Sequence, residues 1–493
     1  MTTHTDTSIE SLYTLIEFPL TEDDKMLLQR AYDFAKTKHE GQERNSGVPY
    51  FTHVFAVAQN CATLGMDLET ILAGMLHDTL EDTDATEEEL SHEFGGHVLF
   101  LVKGVTKLGK LKYRGQERHV ESMRKFFVAM SEDLRVLIIK LADRLHNVQT
   151  LEHVRPDKRT RIALETIAVH ASLAGRLGMG KLKGMLEDYA FPFAYPKEYA
   201  KTKALIDSRM EGAQRTVQET HDTIEKTLTE FEVKNAVVQS RVKYTYSLYN
   251  KLKRYDMDID RVYDIIALRV LVSTIADCYQ VLGLIHMLWK PIPRRIKDYI
   301  ALPKPNGYQS LHTTVITERG MIEIQIRTHT MNQEAEMGIA AHFLYKENKV
   351  DKEAKPGNKK LGWIDELKEL NGVISKPSRF LEQLHVDLFK SRIFVFTPQG
   401  DVIDLPEDAS PIDFAYAVHS EVGERTSSAR INGKMVSLGA KLQNGDVVDI
   451  ITQKNAKPSS KWLDYAKTSL ARRRIRVYIA EHGGLLEKFL VKE

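Results

Sequence analysis

The sequence predicts a multidomain protein: an all-α unit, then an α/β unit, then a small β-rich module. Three observations predict it. From about Thr21 to Ala190 apolar residues recur at helical spacing. Further on the texture turns β-branched and alternating, in "VYDIIALRVLV" and "MIEIQIRT", with a helical "DCYQVLGLIHMLW" between them. From about Leu388 short strands alternate with tight-turn signals, "TPQGD", "INGK" and "QNGD". A chain of 493 residues has room for two to four such cores.

Each element has its own signal. "EDDKMLLQRAYDFAKTKH" is an amphipathic helix, and "ATEEELSHEFG" opens with a Thr86/Glu89 capping box and closes at Gly95. "SEDLRVLIIKLADRLHNVQTL" is a strongly apolar helix carrying Asp143 in its middle. The two prolines of "FPFAYPKEY" mark the first boundary, and a long polar helix, about Lys197 to Phe231, follows as a connector. "KENKVDKEAKPGNKK" reads as a solvated charged loop. In the last module Ser410, Pro411 and Asp413 start a single helix among hairpins, a β-grasp pattern. The expected boundaries are 1–195, 196–345, 346–387, 388–452 and 453–493, the last a basic helical segment.

Composition excludes several classes. A formal charge of +1 provides no global field for nucleic acid or membrane, so any basic site is a local patch. The N-terminal "MTTHTDTSIES" lacks the features of a signal peptide, and no apolar run reaches about 18 residues. Cys61 and Cys278 form no metal-ligand spacing and suit a reducing compartment. The expected location is the cytoplasm, with no membrane partner.

The first chemical signal is "AGMLHDTLEDT". If Ala73 to Thr83 is helical, His77 with Glu81 and Asp78 with Asp82 are pairs one turn apart. Carboxylates and imidazole at the end of an apolar helix are costly unless a cation or proton holds them. His53 in "GVPYFTHVFAVA" and Asp143, with Asn147 one turn later, are further candidates. Nitrogen and oxygen donors of this kind suit an ion such as Mn²⁺. A solvated acidic helix start is the alternative for "HDTLED" alone. His92, His97 and His119 read as surface or satisfied core residues.

The second signal is "SRVKYTYSLYNKLKRY", which places Lys243, Ser247 and Lys251 on one helical stripe with the reach of a triphosphate. An ordinary amphipathic helix would look the same. In "MIEIQIRT" Ile322, Ile324 and Ile326 alternate with Glu323, Gln325 and Arg327, so one strand face is core and the other polar. Asp264 and Arg269 interrupt an apolar run, and Asp264 with Glu323 on one sheet would bind Mg²⁺ and serve a nucleophile. "RRIKDYIALPKPNGYQSLHT" adds Arg294, Arg295, Lys297, Lys304, Tyr308 and His312, cations and an aromatic face for a second nucleotide.

These stretches, with "EIQIRT", "AEMGIAAHFLYK" and "RIFVFTPQGDVIDLPEDASPIDFAYAVHSEVG", resemble the RelA/SpoT family of long alarmone synthetase/hydrolases over nearly the whole chain. The resemblance implies an all-α HD hydrolase domain, an α/β nucleotidyltransferase-like synthetase domain and a β-grasp TGS domain. It implies an enzyme that transfers pyrophosphate from ATP to the 3′-OH of GTP or GDP, giving (p)ppGpp, and hydrolyses (p)ppGpp again. His53, His77, Asp78 and Asp143 would hold Mn²⁺, Glu81 and Asp82 would serve the attacking water, and Arg44 and Asn147 would line the hydrolase pocket. Arg241 and Arg269 would sandwich adenine, Lys243, Ser247 and Lys251 would hold the ATP phosphates, and Asp264 would bind Mg²⁺. Glu323 would accept the 3′-OH proton and Tyr308 would stack on guanine. Arg295, Lys297, Lys304, His312 and Gln325 would complete the acceptor site. His419 would contact a tRNA 3′ end, with deacylated tRNA and the ribosome as partners.

The loop Arg295-Ile296-Lys297-Asp298 is the basic version found in bifunctional members. Asn45 and Val54 stand where relatives often carry Lys and Pro, and the sequence ends shortly after the TGS module. A one-activity enzyme with the other half idle, or a tRNA- or ribosome-binding regulator, are the alternative readings. The long helix is expected to couple the two sites.

Overall fold

The computed structural model describes residues 6–109, 133–262, 265–293, 295–304, 306–341, 392–443 and 445–482. The chain divides into two compact units, and the described parts of each are 6–341 and 392–482, with the gaps just given. Among the described residues no helix is long and apolar enough to cross a membrane.

The first unit begins as a helical half. Its helices include α1 (Glu22–Lys38), α2 (Phe51–Thr63), α3 (Leu68–Leu76), α4 (Thr79–Asp82), α5 (Glu87–Gly109), α6 (Leu134–Gln149), α7 (Pro156–Glu165) and α8 (Gly180–Ala194). The Thr86/Glu89 capping box is present, and α5 bends at Gly95, whose φ of 86° no helix contains. α2 packs against α3 and α6, and its face is apolar almost throughout.

The stretch around His77 is not one helix. α3 stops at Leu76, and α4 starts only at Thr79. Side chains replace the backbone ladder there: Thr79 Oγ1 donates to the Leu76 carbonyl (2.6 Å), and His77 Nδ1 donates to that of Gly74 (2.8 Å). The break turns His77 and Asp78 together toward α2 and α6 rather than along a helix face.

Next comes α9 (Pro196–Glu230), 35 residues long. It is more than a connector, because Ile206, Val217, Ile224 and Leu228 are buried in the core of the following domain. That domain is a mixed sheet of β1 (Val237–Val242), β2 (Ile266–Val272), β3 (Lys290–Pro291), β4 (Lys297–Asp298), β5 (Leu311–Thr317) and β6 (Gly320–Thr328). The order is β1-β2-β6-β5-β3, with β4 also on β5; β2 and β6 are parallel and the other pairs antiparallel. α10 (Thr245–Lys253) follows β1, α11 (Ile275–Leu288) follows β2, and α12 (His329–Met337) follows β6. Leu268, Val270, Ile322, Ile324, Ile326, Leu311 and Val315 face a core closed by α9 and α11.

The second unit has a β7 (Arg392–Phe396)/β8 (Val402–Pro406) hairpin and a three-stranded sheet of β9 (Thr426–Ile431), β10 (Lys434–Val436) and β11 (Val448–Thr452). Asn432 (φ 51°) and Gly433 (φ 81°) make the tight β9–β10 turn that "INGK" predicts. The main helix, α13 (Pro411–Val418), followed by a short one at Ser420–Glu424, sits among the strands, capped by Ser410 and Asp413 as expected, in keeping with the β-grasp pattern. A terminal helix α14 (Ser469–His482) packs on α13 through Ile412, Tyr416, Ala471, Ile475 and Ile479. Asp413 also accepts the backbone N–H groups of Lys467 (2.8 Å) and Thr468 (2.7 Å), so residues after β11 belong to the same body.

Candidate functional sites

The helical half brings four of the predicted ligands together. His53 comes from α2, His77 and Asp78 from the break after α3, and Asp143 from α6. His53 Nε2 lies 3.5 Å from Asp78 and 3.4 Å from Asp143, and His77 Nε2 lies 3.0 Å from Asp78. The donor atoms of His53, His77 and Asp143 all lie within 4.8 Å of one another, and all three residues are buried.

Hydrogen-bond partners set the tautomers. The Gly74 carbonyl can only accept, so His77 Nδ1 carries a proton and Nε2 is the nitrogen turned to the cluster, where, against the effect of burial, Asp78 raises the pKa of the ring. His53 Nδ1 lies 2.8 Å from His146 Nδ1, to which Arg44 donates at 3.0 Å, so His53 also turns Nε2 inward. His146 is held neutral, its pKa pushed down to about 3 by burial, then by His53 and Arg44. Burial pushes the Asp78 and Asp143 carboxyls up, but His77 and His53 outweigh it at Asp78, and Lys140 with the same histidines at Asp143, so both stay well below the usual range. His77 Nε2 is buried with no hydrogen-bond partner. Two inward imidazole nitrogens, one of them the unmet Nε2 of His77, and two ionised carboxylates fit a divalent metal ion.

The predicted pocket residues join this cluster. Arg44 donates to Asn147 Oδ1 (2.9 Å), and the Asn147 amide donates to Asp143. Asp82 is exposed at the rim, within 3.3 Å of the Tyr50 hydroxyl, while Glu81 is half-buried in the same turn. Tyr50, Lys140 and His146 are functional neighbours that the sequence reading missed. Tyr50 donates to Asp78 (2.8 Å), and Lys140 holds the second Asp143 oxygen (2.7 Å). Spacing of three residues was the available hint for Lys140 and His146, on either side of Asp143, and for Tyr50, three before His53. His92 and His97 are exposed, as expected, and His119 lies outside the described residues.

The second site lies on the sheet face opposite the core. Register explains it: Gln239 pairs with Arg269, Arg269 with Gln325, Gln325 with His312, and His312 with Lys297. One row across five strands therefore presents polar groups to the same side. Tyr308 donates to His312 Nε2 (2.8 Å), His312 Nδ1 lies 3.6 Å from Glu323, and Gln325 donates to Glu323 (2.9 Å). His312 is neutral, its pKa driven down to about 3 by burial and then by Lys304 and Lys297. The Lys304 ammonium lies over the rings of Tyr299 (4.6 Å) and Tyr308 (4.8 Å).

Beside this row is a cavity of about 450 Å³ that Arg241, Arg269, Tyr308, Arg327 and Tyr244 help to line. Arg269 is held by Glu336 (2.7 Å) and Asn332 (3.0 Å), and Arg327 by Asn332 (2.6 Å), all anchored on α12. The Nε atoms of both arginines are buried without a partner, donors that an anion or a ring acceptor would satisfy. Arg327, Asn332 and Glu336 were not singled out from sequence beyond the polar strand face.

The predicted phosphate stripe is rearranged. Arg241 is in β1 and Lys243 in the turn after it, so only Ser247 and Lys251 stand on the helix, one turn apart. "VVQSRV" pairs with β2 as a strand, and that pairing overrides the helical reading of its end. Lys243, Ser247 and Lys251 are not among the cavity's walls. Arg295 and Lys297 are exposed beside β5; Asp264 and Arg294 lie outside the described residues. In the second unit His419 is exposed and accepts the Glu421 N–H on Nδ1 (3.2 Å), which leaves Nε2 outward.

Comparison with known proteins follows the same division. A family model described as an HD domain matches residues 31–180, one for a region found in RelA / SpoT proteins matches 240–350, and one for a TGS domain matches 393–452. The chain is 45% identical over 469 residues to a GTP pyrophosphokinase of Myxococcus xanthus, covering 93% of this chain and 61% of that one. It is 45% identical over 454 residues to a guanosine-3′,5′-bis(diphosphate) 3′-pyrophosphohydrolase of Aquifex aeolicus, covering 92% and 64%. It is 43% identical over 469 residues to the bifunctional (p)ppGpp synthase/hydrolase SpoT of Escherichia coli K12, covering 95% and 66%. The chain thus spans 61% to 66% of the length of these three relatives.

Proposed function

We propose, from the premise that this chain belongs to the RelA/SpoT family, that it both makes and destroys (p)ppGpp. The observation that carries the reading is the presence of two chemically distinct sites on one chain. One is a buried cluster of imidazoles and carboxylates, the other an arginine-lined cavity beside a Tyr–His–Glu row.

Residues 1–195 are assigned to hydrolysis. His53, His77, Asp78 and Asp143 would hold Mn²⁺, which when bound makes water a better nucleophile and polarises a phosphoryl oxygen. Arg44 and Asn147 receive the 3′-pyrophosphate, and Tyr50 holds Asp78 and Asp82 in place. Glu81 and Asp82 orient the attacking water and take its proton. The bond from phosphorus to the ribose 3′-oxygen breaks, pyrophosphate departs, and the 3′-oxygen is protonated.

Residues 196–345 are assigned to synthesis. Arg241 and Arg269 flank the ATP base, Lys243, Ser247 and Lys251 take its phosphates, and Asp264 with Glu323 would hold Mg²⁺. Tyr308 stacks on the acceptor guanine, with Arg295, Lys297, Lys304, His312 and Gln325 around its phosphates and ribose. Glu323 accepts the 3′-OH proton as that oxygen attacks the β-phosphorus, and AMP leaves with the former bridging oxygen. The segment 346–387 links this half to the TGS module (388–452), where outward His419 is assigned to the 3′ end of deacylated tRNA, on or off the ribosome, and 453–493 follows. Two buried free thiols, Cys61 and Cys278, accord with work in the cytoplasm.

The test is product analysis from labelled ATP and GDP with Mg²⁺, and from labelled ppGpp with Mn²⁺. Asp78→Ala should abolish hydrolysis and leave synthesis, and Glu323→Gln should do the reverse. Turnover that survives each change in the half it targets would defeat the reading.

A further inference from the structure

The helical half reaches into the synthesis site. Gly180, at the start of α8, lies so close to α12 that a Cβ there would meet the Ala335 carbonyl at 2.9 Å. Ile339 N–H donates to the Leu177 carbonyl (2.9 Å), and Gly338, at φ +59°, sits backbone to backbone on Leu177–Met179. One turn along α8, Gly184 leaves no space for a side chain because Tyr244 covers it, and the Tyr244 hydroxyl donates to the Lys181 carbonyl (3.2 Å).

A further turn along α8 is Asp188. Its two carboxylate oxygens accept the backbone N–H groups of Thr245 and Tyr246, each at 2.9 Å. These are the first two residues of α10, whose leading N–H groups have no partner within the helix. The residue before the helix is Tyr244, which provides no side-chain cap, where Ser, Thr, Asp or Asn would normally do so. The cap is supplied instead from 57 residues upstream, by a carboxylate that also complements the helix dipole. Ser247 and Lys251 follow on the same helix, and Lys243 stands just before it.

We propose that Asp188 is a positioning residue for the pyrophosphate donor: by capping α10 from the helical half, it fixes where Lys243, Ser247 and Lys251 meet the ATP phosphates. The inference rests on the assignment of those three residues to ATP. It also places a physical link between the halves on α8, where the sequence suggested α9.

The test uses the full chain, with ATP varied at saturating GDP and GDP varied at saturating ATP. Asp188→Ala should raise the KM for ATP about tenfold, the loss expected for a half-buried pair of charge-assisted hydrogen bonds. The KM for GDP and the rate of ppGpp hydrolysis should stay within twofold of wild type. Asp188→Asn, which keeps one accepting oxygen, should lie between the two. Gly184→Ala, which displaces Tyr244, should shift the ATP value alone as well. An ATP KM unchanged in both Asp188 variants overturns the proposal, as does an equal rise for ATP and GDP, which would signal general loss of structure. Should Asp188→Ala fail to fold, the same split in Asp188→Asn decides. Equilibrium binding of a non-hydrolysable ATP analogue makes the comparison without turnover. A wild-type chain that yields no product therefore removes the functional reading, while the binding constants still judge Asp188.

Discussion

Tyr50 concentrates several roles in one hydroxyl. It donates to Asp78 and approaches Asp82, its ring stacks on His39, and burial beside those carboxylates pushes its own pKa upward. It therefore stays protonated and acts as a donor. Tyr50→Phe should lower the hydrolysis rate about tenfold, by freeing both carboxylates, while folding costs only about 1 kcal/mol. Paired rate and urea-unfolding measurements check this. His170 gives a pH prediction. It is buried in a π-helical turn (Thr166–Ala171), and burial followed by Arg144 pushes its pKa down to about 3. The unfolded chain protonates it near about 6.5. Below that pH the unfolded state binds more protons, so stability falls as acid is added, by up to about 1.4 kcal/mol per pH unit, until the folded site also titrates. His170→Gln should flatten urea midpoints between pH 6.5 and 4.5 without changing them above pH 7.

At the scale of single elements, β6 separates folding from binding by parity. Ile324 is fully buried against α11, and its neighbour Gln325 faces the polar row. Ile324→Ala should cost about 2–5 kcal/mol of stability. Gln325→Ala should barely move the melting point yet weaken GDP binding, as thermal melts and GDP titrations on both variants would reveal. That alternation could be read directly from "MIEIQIRT", because a strand's period of two shows in its residues. What could not be read were places where side chains or pairing partners override local periodicity. Thr79 and His77 end α3 through their own hydrogen bonds, and β2 draws "VVQSRV" into the sheet. The first override uses neighbours three residues away but depends on side-chain geometry, and the second depends on a strand outside any window of ten residues.

Over the whole molecule the order of domains and the convergence of His53, His77, Asp78 and Asp143 could be read from the chain, since each carried a local pattern. The neighbours that complete each site could not. Tyr50 and Glu336 gain meaning only after segments distant in sequence have packed, against Asp78 and Arg269. The same holds for Asp413, which looks like a simple helix start yet also receives Lys467 and Thr468. Trimming the chain after Thr452 would strip α14 from α13, leaving Ile412 and Tyr416 bare and a buried carboxylate short of three donors. Such a shortened protein should clump in sedimentation runs where one cut after His482 stays monodisperse. Anyone dividing this polypeptide for separate production should place the scissors beyond α14, not at the edge of β11.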